Sequence, residues 1–219
     1  MLKKLLVVNA TPKTDGLTYS FVETAEATAA SLGLECEILR LAGLGLKSCK
    51  MCYDGWGICF KEHKCVLSGQ DCFAELQQKI KEADAFVYVT PVYWGEISED
   101  LKVFWDRLRR CETTKQWHDK LDEDSFHKDK PSIIVAAAGG GCGGIISTLS
   151  QMERYVDQLG QHTGFKEGTA GVFDYIAVNR WNQEYKREAL KAAITEMTAY
   201  KNGIKKAPAM NHLKDLEKF

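Results

Sequence analysis

Four cysteines in one short stretch are the residues of this sequence best suited to metal or redox chemistry. They are Cys49, Cys52, Cys59 and Cys65. Two residues separate the first pair, six separate the second cysteine from the third, and five separate the last two. Four thiolates in an irregular segment can bind an iron–sulfur cluster or a tetrahedral zinc ion. Inert thiols are the alternative, because a buried free cysteine behaves as a small hydrophobic residue.

Residues 10–18 form the first of three segments that follow apolar runs and could hold a ligand. Thr11 and Thr18 offer hydroxyl groups, and Lys13 offers a positive charge. A hydroxyl-rich loop at a helix N-terminus binds anions, because backbone N–H groups and the helix dipole converge there. The segment predicts a site for a phosphate monoester. An ordinary strand-to-helix turn with a threonine cap would give the same pattern.

The second segment places two aromatic side chains and a glycine directly after an apolar run. Its residues are Pro91, Val92, Tyr93, Trp94 and Gly95. Aromatic and backbone groups in such a loop could pack against a flavin, whose flat ring is largely apolar and whose edge accepts main-chain hydrogen bonds. The alternative is that both aromatic residues belong to the core and cap the sheet.

The third segment consists of five glycines interrupted by one cysteine. Its residues are Gly139, Gly140, Gly141, Cys142, Gly143 and Gly144. Glycines let the backbone approach a ligand closely or adopt positive φ. A merely flexible connection is the alternative for this segment. Its position after an apolar run, like that of the other two segments, favours a ligand-binding role.

The composition of the chain is that of an ordinary globular protein. Of 219 residues, 45% are apolar and 27% are charged, and we expect one domain over residues 1–219 with a cysteine-rich loop at 42–71 and a C-terminal helical extension at 183–219. The net charge of −1 argues against nucleic acid as a partner. No apolar run approaches the ~20 residues that span a bilayer, and no signal peptide is evident. We therefore expect a cytoplasmic protein without a disulfide framework.

Apolar runs alternate with amphipathic segments along the chain, which predicts βαβ units and a parallel sheet covered on both faces. The predicted strands are residues 3–9, 35–41, 85–90, 131–138 and 169–178. The predicted helices are residues 17–31, 72–83, 98–111, 145–159 and 183–202. The polar segment 112–130 is predicted to be an excursion over the surface. In such sheets ligands bind beyond the C-terminal ends of the strands, which is where the three segments lie.

Taken together, these segments resemble the NADPH-dependent FMN reductase and iron-sulfur flavoprotein group of the flavodoxin-like superfamily. That group carries a G-S-P-R-x-x-G-N-T loop, an S-P-V-Y-W/F-G loop before an L-K-x-F-x-D-R helix, and a glycine-rich third loop. The corresponding sequences here are A-T-P-K-T-D-G-L-T from Ala10, T-P-V-Y-W-G from Thr90 and L-K-V-F-W-D-R from Leu101. The similarity covers roughly residues 3–160, in the same order.

The resemblance implies an α/β fold, a flavodoxin-like three-layer αβα sandwich with a five-stranded parallel sheet that binds FMN. Residues 91–95 would flank the isoalloxazine, and residues 139–144 would contact its pyrimidine side. The FMN phosphate would be held by Thr11, Lys13, the N–H of Leu17, and Thr18.

This chain departs from the family pattern in its first loop. The usual first glycine is Ala10, the arginine is Lys13 and the asparagine is Leu17. Lysine is a point charge and not a planar fork, so bidentate binding of phosphate is lost. In the helix motif, Asp106 and Arg107 are expected to form a structural ion pair rather than to touch flavin.

Iron-sulfur flavoproteins carry a compact four-cysteine motif at the position of the cysteine loop, so the resemblance implies that the four cysteines are ligands of a 4Fe-4S cluster. In that motif two residues separate the second cysteine from the third, whereas six separate Cys52 from Cys59 here. An iron–sulfur cluster, zinc and inert thiols all remain open.

The main hypothesis is an FMN-dependent oxidoreductase that uses NAD(P)H or an electron-donor protein to reduce small acceptors such as quinones, flavins or nitro and azo compounds. The flavin carries such chemistry, so no acid–base residue is assigned. The first alternative is an iron-sulfur flavoprotein for electron transfer. The second is a non-catalytic, metal-stabilised module that kept the fold and lost FMN. Relatives often form homodimers or homotetramers, and we expect the same here.

Overall fold

Five strands alternate with six helices in the computed structural model, which describes residues 1–55, 57–117, 130–140, 143–160 and 172–201. The strands are β1 (Lys4–Asn9), β2 (Glu35–Arg40), β3 (Ala85–Pro91), β4 (Ser132–Ala138) and β5 (Val172–Asn179). The helices are α1 (Gly16–Ser31), α2 (Ile58–Glu62), α3 (Phe73–Glu82), α4 (Glu99–Trp117), α5 (Ile145–Gly160) and α6 (Gln183–Lys201).

The strands form one parallel sheet in the order β2-β1-β3-β4-β5. This is the flavodoxin-like strand order, so the predicted fold class is confirmed. The three central strands are largely apolar because both of their faces are covered. Leu6 and Val8 pack on the side of α3, α4 and α5, whereas Leu5 and Val7 pack on the side of α1 and α6.

The strand order reverses at β1, which has β2 on one side and β3 on the other. The connections that leave β1 and β3 therefore diverge, and a crevice opens between them beyond the C-terminal ends of the strands. The ends of β1, β3 and β4 are adjacent in the sheet. This arrangement brings the three segments that the sequence predicts to bind a ligand to one edge.

Helix α4 is longer than the sequence predicted. It continues to Trp117, so the prediction of a surface excursion from residue 112 is wrong for its first six residues. No glycine or proline interrupts this part of the chain, and Glu112 has no exposed surface. The Thr113 hydroxyl donates a 3.0 Å hydrogen bond to the carbonyl of Gln158, which ties the helix to α5. The rest of the predicted excursion, residues 118–129, lies outside the described residues.

One other prediction needs adjustment. The cysteine-rich loop was predicted to be irregular, but it contains the one-turn helix α2. The described part of the fifth strand is Val172–Asn179. Its predicted start at residues 169–171 and the extension beyond residue 201 lie outside the described residues. Among the residues that the structure describes, no helix combines the length and the apolar character needed to cross a membrane.

Candidate functional site

The first loop joins β1 to α1 and is shaped by its own side chains. The carboxamide oxygen of Asn9 accepts the N–H of Thr11 at 2.9 Å, and the Thr11 hydroxyl accepts the N–H of Lys13 at 3.3 Å. Thr11 is buried, whereas Lys13 is exposed. Asp15 stands at the N-cap of α1 without a side-chain capping hydrogen bond. The loop therefore presents the positive end of α1 next to a buried hydroxyl and an exposed cation.

Two further features of this loop concern residues on its flanks. Leu17 packs in the core between α1 and α6, and Thr18 is half-buried in the first turn of α1. Arg40, the last residue of β2, donates a 2.9 Å hydrogen bond to the carbonyl of Pro12. The sequence analysis did not identify this second cation. Arg40 ends β2, the strand that pairs with β1, and this position could have indicated that it lies near the first loop.

The second loop is a tight turn that leaves β3. Tyr93 and Glu96 exchange two backbone hydrogen bonds of 3.0 Å each. The two residues between them, Trp94 and Gly95, have φ of 53° and 85°, which is the type I′ geometry of two-residue hairpins. Trp94 is fully exposed and Tyr93 is 48% exposed. The alternative interpretation of both residues as core aromatics is therefore wrong.

Hydrogen bonds to the start of α4 and to β4 hold the second loop in place. The Thr90 hydroxyl, at the end of β3, accepts the N–H of Ser98 at 3.1 Å. On the other side, the N–H of Val92 bonds to the carbonyl of Ala137 in β4 at 2.9 Å. These bonds fix the turn relative to β4, from which the third loop leaves.

The third loop packs against the second through two glycines. A Cβ placed on Gly144 would lie 2.2 Å from the Cα of Gly95 and 2.7 Å from its nitrogen. The Ser147 hydroxyl lies 2.8 Å from the carbonyl oxygen of Gly95 and 2.9 Å from that of Gly144. Gly139, Gly140 and Gly143 are exposed. Gly141 and Cys142 lie outside the described residues.

Two adjoining cavities lie along α4. One of about 540 Å³ is bounded by Gly95 and Glu96 of the second loop and by α4 and α5. The other, of about 380 Å³, is lined by Cys49 and Met51 of the cysteine loop. Lys102, Asp106 and Arg109 of α4 line both. The groove therefore extends from the second loop to the cysteine loop.

The floor of the larger cavity is a polar network on α4 and α5. The Asp106 carboxylate accepts hydrogen bonds from Lys102 at 2.7 Å and from the Tyr155 hydroxyl at 2.6 Å. Burial raises the pKa of Tyr155, and its hydrogen bond to Asp106 raises it further. Asp106 was expected to form an ion pair with Arg107. That prediction is wrong, because Asp106 pairs with Lys102. Successive helical residues point in different directions and do not meet.

Arg107 instead pairs with Asp71 at the end of the cysteine loop. Its Nη2 donates to Asp71 Oδ1 at 3.1 Å, and its Nη1 donates to Asp71 Oδ2 and, at 3.1 Å, to the carbonyl of Lys47. Asp71 in turn accepts the N–H of Lys47 at 3.0 Å. The two ends of the cysteine loop are thereby joined over α4.

The four cysteines of the loop are all half-buried, and their thiols lie near one another. Burial raises the pKa of Cys59, and the neighbouring thiols of Cys52, Cys65 and Cys49 raise it further, while Arg110 opposes the rise. Gly57 is needed for this approach, because a Cβ there would lie 2.8 Å from the Cys52 sulfur. The structure thus places the other three predicted ligands near Cys59.

The thiols do not form a site for a single metal ion. Across the described ranges, no three Cys, His, Asp or Glu side chains are grouped so that they could hold one ion. A cluster binds each cysteine through a different iron, so its ligand sulfurs stand farther apart than those around one zinc ion. Met51, Tyr53 and Asp54 have positive φ around Cys52, a left-handed backbone conformation that residues other than glycine seldom adopt.

A fifth cysteine, Cys111 of α4, faces the same loop. It is fully buried, and burial raises its pKa, followed by the effects of Cys59 and Cys65. Cys111 has no ligand spacing to the other cysteines in the sequence. Its burial is that of a core thiol, and α4 places it near Cys59 and Cys65.

Comparison with known proteins identifies iron-sulfur flavoproteins that are similar to this chain. The chain is 29% identical over 152 residues to an iron-sulfur flavoprotein of Methanocaldococcus jannaschii, which covers 69% of this chain and 70% of that protein. Four further iron-sulfur flavoproteins, from Archaeoglobus fulgidus and Methanosarcina thermophila, match over 45–54% of their own length. The chain thus spans about half the length of those four.

Solved structures share the fold at low sequence identity. An FMN-dependent NADH-azoreductase of Bacillus anthracis in complex with FMN superimposes with a TM-score of 0.57 at 14% identity, covering 93% of this chain and all of that one. An NAD(P)H:quinone oxidoreductase of Methanothermobacter marburgensis gives a TM-score of 0.58 at 16% identity, covering 95% and 100%.

The NADPH-dependent FMN reductase family matches residues 3–163, a stretch that contains β1 to β4, all three loops and the cysteine loop. The predicted resemblance is therefore confirmed, and with it the expectation of a flavin-dependent reductase fold. The chain belongs to the NADPH-dependent FMN reductase family.

Proposed function

We propose that this protein binds FMN in the crevice beyond β1, β3 and β4 and uses it to pass electrons from NAD(P)H, or from an electron-donor protein, to a small acceptor. The observation that carries the proposal is the convergence of three loops at the ends of three adjacent strands, at the switch point of the sheet. That is the place where folds with this strand order bind FMN.

The phosphate of FMN would lie in the first loop. The Thr11 hydroxyl already accepts the Lys13 N–H, so its own proton can be donated to a phosphate oxygen. The N–H of Leu17 and the Thr18 hydroxyl, both in the first turn of α1, would complete the site with the charge of Lys13. Arg40, bonded to Pro12 in the same loop, supplies a second cation. This second charge would compensate in part for the bidentate phosphate contact that an arginine at position 13 would make.

The isoalloxazine would lie between the second and third loops. Pro91, Val92, Tyr93, Trp94 and Gly95 would flank the ring, and Gly139, Gly140, Gly141, Cys142 and Gly143 would contact its pyrimidine side. The packing of Gly144 on Gly95 supports a common site, because it fixes one loop against the other. Bound FMN would supply the redox chemistry, accepting electrons in pairs or singly.

The side chains next to this site would govern access for the acceptor. Tyr93 and Trp94 present large aromatic surfaces to solvent, and an aromatic surface stacks well on flat conjugated molecules. Quinones, free flavins and nitro or azo aromatics share that shape. The names of the structural relatives, an azoreductase and a quinone oxidoreductase, support the same group of acceptors.

A second candidate function adds a 4Fe-4S cluster on Cys49, Cys52, Cys59 and Cys65. It is favoured by the closed cysteine loop, whose thiols gather around Cys59, and by the iron-sulfur flavoproteins among the relatives. The donor set suits iron and sulfide, since four thiolates are the usual ligands of such a cluster. The cluster would relay single electrons between the flavin and a partner.

We also propose that the protein assembles as a homodimer or homotetramer. Five large apolar side chains are exposed beyond the ends of β3, β4 and β5, namely Tyr93, Trp94, Ile146, Trp181 and Tyr185. A concentration of exposed apolar residues at one edge is typical of a surface that another protein covers. Light scattering after size-exclusion chromatography measures the mass, and a monomer at all concentrations would contradict this proposal.

Oxidation of NADPH and NADH by the FMN-loaded protein tests the main function. We expect turnover in the presence of a quinone, with flavin reduced by at least one of the two nucleotides under anaerobic conditions. A protein that binds FMN but is reduced by neither nucleotide would instead take electrons from a protein donor. A protein that cannot bind FMN would be the non-catalytic module.

A further inference from the structure

The larger of the two cavities along α4 is a polar groove that the proposed flavin site does not use. Its volume is about 540 Å³, and it begins at Gly95 and Glu96, in the loop that would flank the ring of FMN. From there it continues between the facing sides of α4 and α5. A molecule that contacts the flavin ring could therefore extend into this groove.

Two rows of polar side chains line the groove at helical spacing. Lys102 and Arg109 are seven residues apart on α4, and the row on α5 consists of Gln151, Arg154 and Gln158. Side chains three, four or seven residues apart share one face of a helix. The rows meet across the groove, where Arg109 Nη1 donates a 2.9 Å hydrogen bond to the side-chain oxygen of Gln158.

The charges of the two arginines are not neutralised by the residues that the structure describes. Lys102 forms an ion pair with Asp106 at 2.7 Å, whereas neither arginine has a described carboxylate within ion-pair distance. Arg154 is exposed, and its Nε donates a 3.3 Å hydrogen bond to the carbonyl of Ser150. The Nε of Arg109 is buried and has no hydrogen-bond partner in the described part of the chain. Both guanidinium groups therefore retain donors for an anion.

The two arginines lie at the same level of the groove, at a distance from the flavin loop. Arg154 is one helical turn before Gln158, the partner of Arg109, and residues so spaced have Cβ atoms about 5–6 Å apart. Ser147, which bonds to the carbonyl of Gly95, precedes Arg154 by seven residues, or about 10 Å along the helix. An anion between the arginines would thus lie about 10 Å from the second loop. A small flat acceptor on the flavin would not reach it, but an extended molecule would.

We propose that Arg109 and Arg154 bind the 2′-phosphate of NADPH and so make the protein select NADPH over NADH. The proposal rests on the flavin-dependent function proposed above and deepens it by naming the electron donor. With its nicotinamide at the flavin beside Gly95, the dinucleotide would follow the groove and carry its far phosphate to the two guanidinium groups. Guanidinium groups suit phosphate because their donors bind two oxygens at once. NADH has no charge at this position.

Binding of adenosine 2′,5′-bisphosphate tests the site without any electron transfer. This probe carries the 2′-phosphate and has no nicotinamide, and 5′-AMP is the matched probe without the 2′-phosphate. By calorimetry on FMN-loaded protein we expect the bisphosphate to bind about tenfold or more tightly than 5′-AMP, because a hydrogen bond between charged groups contributes this much affinity.

Three variants assign this difference to the groove. Arg154→Met should remove most of the preference for the bisphosphate, and Arg154→Lys should restore only part of it, because lysine keeps the charge without the planar fork. Arg154 is exposed, so neither change should prevent folding. Lys191→Met removes a half-exposed cation from α6, on the opposite face of the sheet, and should leave both affinities unchanged.

Steady-state turnover with a quinone gives a second measurement. We expect kcat/KM for NADPH to exceed that for NADH by about tenfold or more in the wild type. In Arg154→Met the two values should approach each other, chiefly because the KM for NADPH rises. Arg109→Met should act in the same direction, with thermal unfolding as a check that the loss of its bond to Gln158 leaves the protein folded.

Equal affinity of the wild type for the bisphosphate and 5′-AMP would overturn the proposal, and so would an unchanged preference in Arg154→Met. In either case FMN content and reduction by NADH would still test the proposed function. A sulfonated azo dye that loses affinity in Arg154→Met while the bisphosphate does not would assign the arginines to an anionic acceptor and would also overturn the proposal. Protein that takes up no FMN would contradict the proposed function, whereas binding of the bisphosphate would still report on the groove.

Discussion

Gly144 lies so close to Gly95 that a Cβ on Gly144 would come within 2.2 Å of the Gly95 Cα. This contact joins the loop after β4 to the loop after β3, and Ser147 bridges the same two residues through their carbonyl oxygens. A displacement of Gly95 would therefore disturb Gly144, and a displacement of Gly144 would disturb Gly95.

A side chain at position 144 should separate these loops. We expect Gly144→Ala to weaken FMN binding about tenfold or more and to destabilise the fold by about 1–3 kcal/mol, because it forces backbone apart and occupies a positive φ. Gly69→Ala is a matched control, since a Cβ there meets nothing within 4 Å. Fluorescence titration with FMN and thermal unfolding measure the two effects. Equal FMN affinity in both variants would contradict the contact.

Thr11 should contribute to binding of the phosphate and not of the ring. Thr11→Val keeps the shape and removes the hydroxyl, and a hydrogen bond to a charged group is worth about 1.5–3 kcal/mol. We therefore expect the Kd for FMN to rise about ten- to a hundredfold, while the Kd for riboflavin stays the same. Thr11→Ser should restore FMN binding. If riboflavin binding fell in parallel with FMN binding, the phosphate would not lie in this loop.

Trp94 should be more important for the acceptor than for folding. Its backbone has φ of 53° and its side chain is fully exposed, so a glycine there relieves strain of about 1–2 kcal/mol and removes little packing. Glycine also makes the unfolded chain more flexible, which offsets part of this gain, so we expect Trp94→Gly to change the free energy of unfolding by no more than about 1 kcal/mol. The KM for a quinone should rise several-fold. A large loss of stability would show that Trp94 packs against the protein.

The ion pair between Asp71 and Arg107 should make stability depend on pH at the acid end. Burial opposes ionisation, but hydrogen bonds from Arg107 and from the N–H groups of Lys47 and Phe73 lower the pKa of Asp71 below its usual 3.8. Because the pKa is lower in the folded state, the stabilisation is present above pH 3.8 and is lost as the pH falls through the folded value.

Asp71→Asn removes this dependence and also leaves Arg107 without a counter-charge. We expect it to lower the free energy of unfolding by about 3–5 kcal/mol at pH 7. The free energy of unfolding of the variant should also fall less steeply than that of the wild type as the pH is lowered below about 4. Urea unfolding of both proteins over this range provides the comparison. Parallel curves for the two proteins would show that other carboxylates cause the acid loss.

The sheet, and the edge at which the three loops meet, could be predicted because they depend on local patterns. The continuous apolar runs that became β1, β3 and β4 fixed the strands, and the loops that follow them were placed by the rule for parallel sheets. The partners of Asp106 and Arg107 could not be predicted in this way. Arg107 meets Asp71 across 36 residues, and only the packing of α4 under the cysteine loop brings them together.

Other features depended equally on tertiary contacts. Periodicity identified the beginning of α4, but its continuation to Trp117 is supported by packing against α5. The exposure of Trp94 follows from a hairpin that residue type alone would not indicate, since aromatic residues are usually buried. The approach of Gly144 to Gly95 joins two loops whose spacing in the sequence carries no sign of contact.

The visible absorption spectrum of anaerobically purified protein, with flavin, iron and sulfide assayed on the same sample, tests the central claim most directly. The account predicts flavin bands with a stoichiometric amount of FMN, acquired during expression or on addition of the cofactor. Iron and sulfide in equal amounts would add the cluster on Cys49, Cys52, Cys59 and Cys65. A colourless protein that takes up no FMN would contradict the central claim.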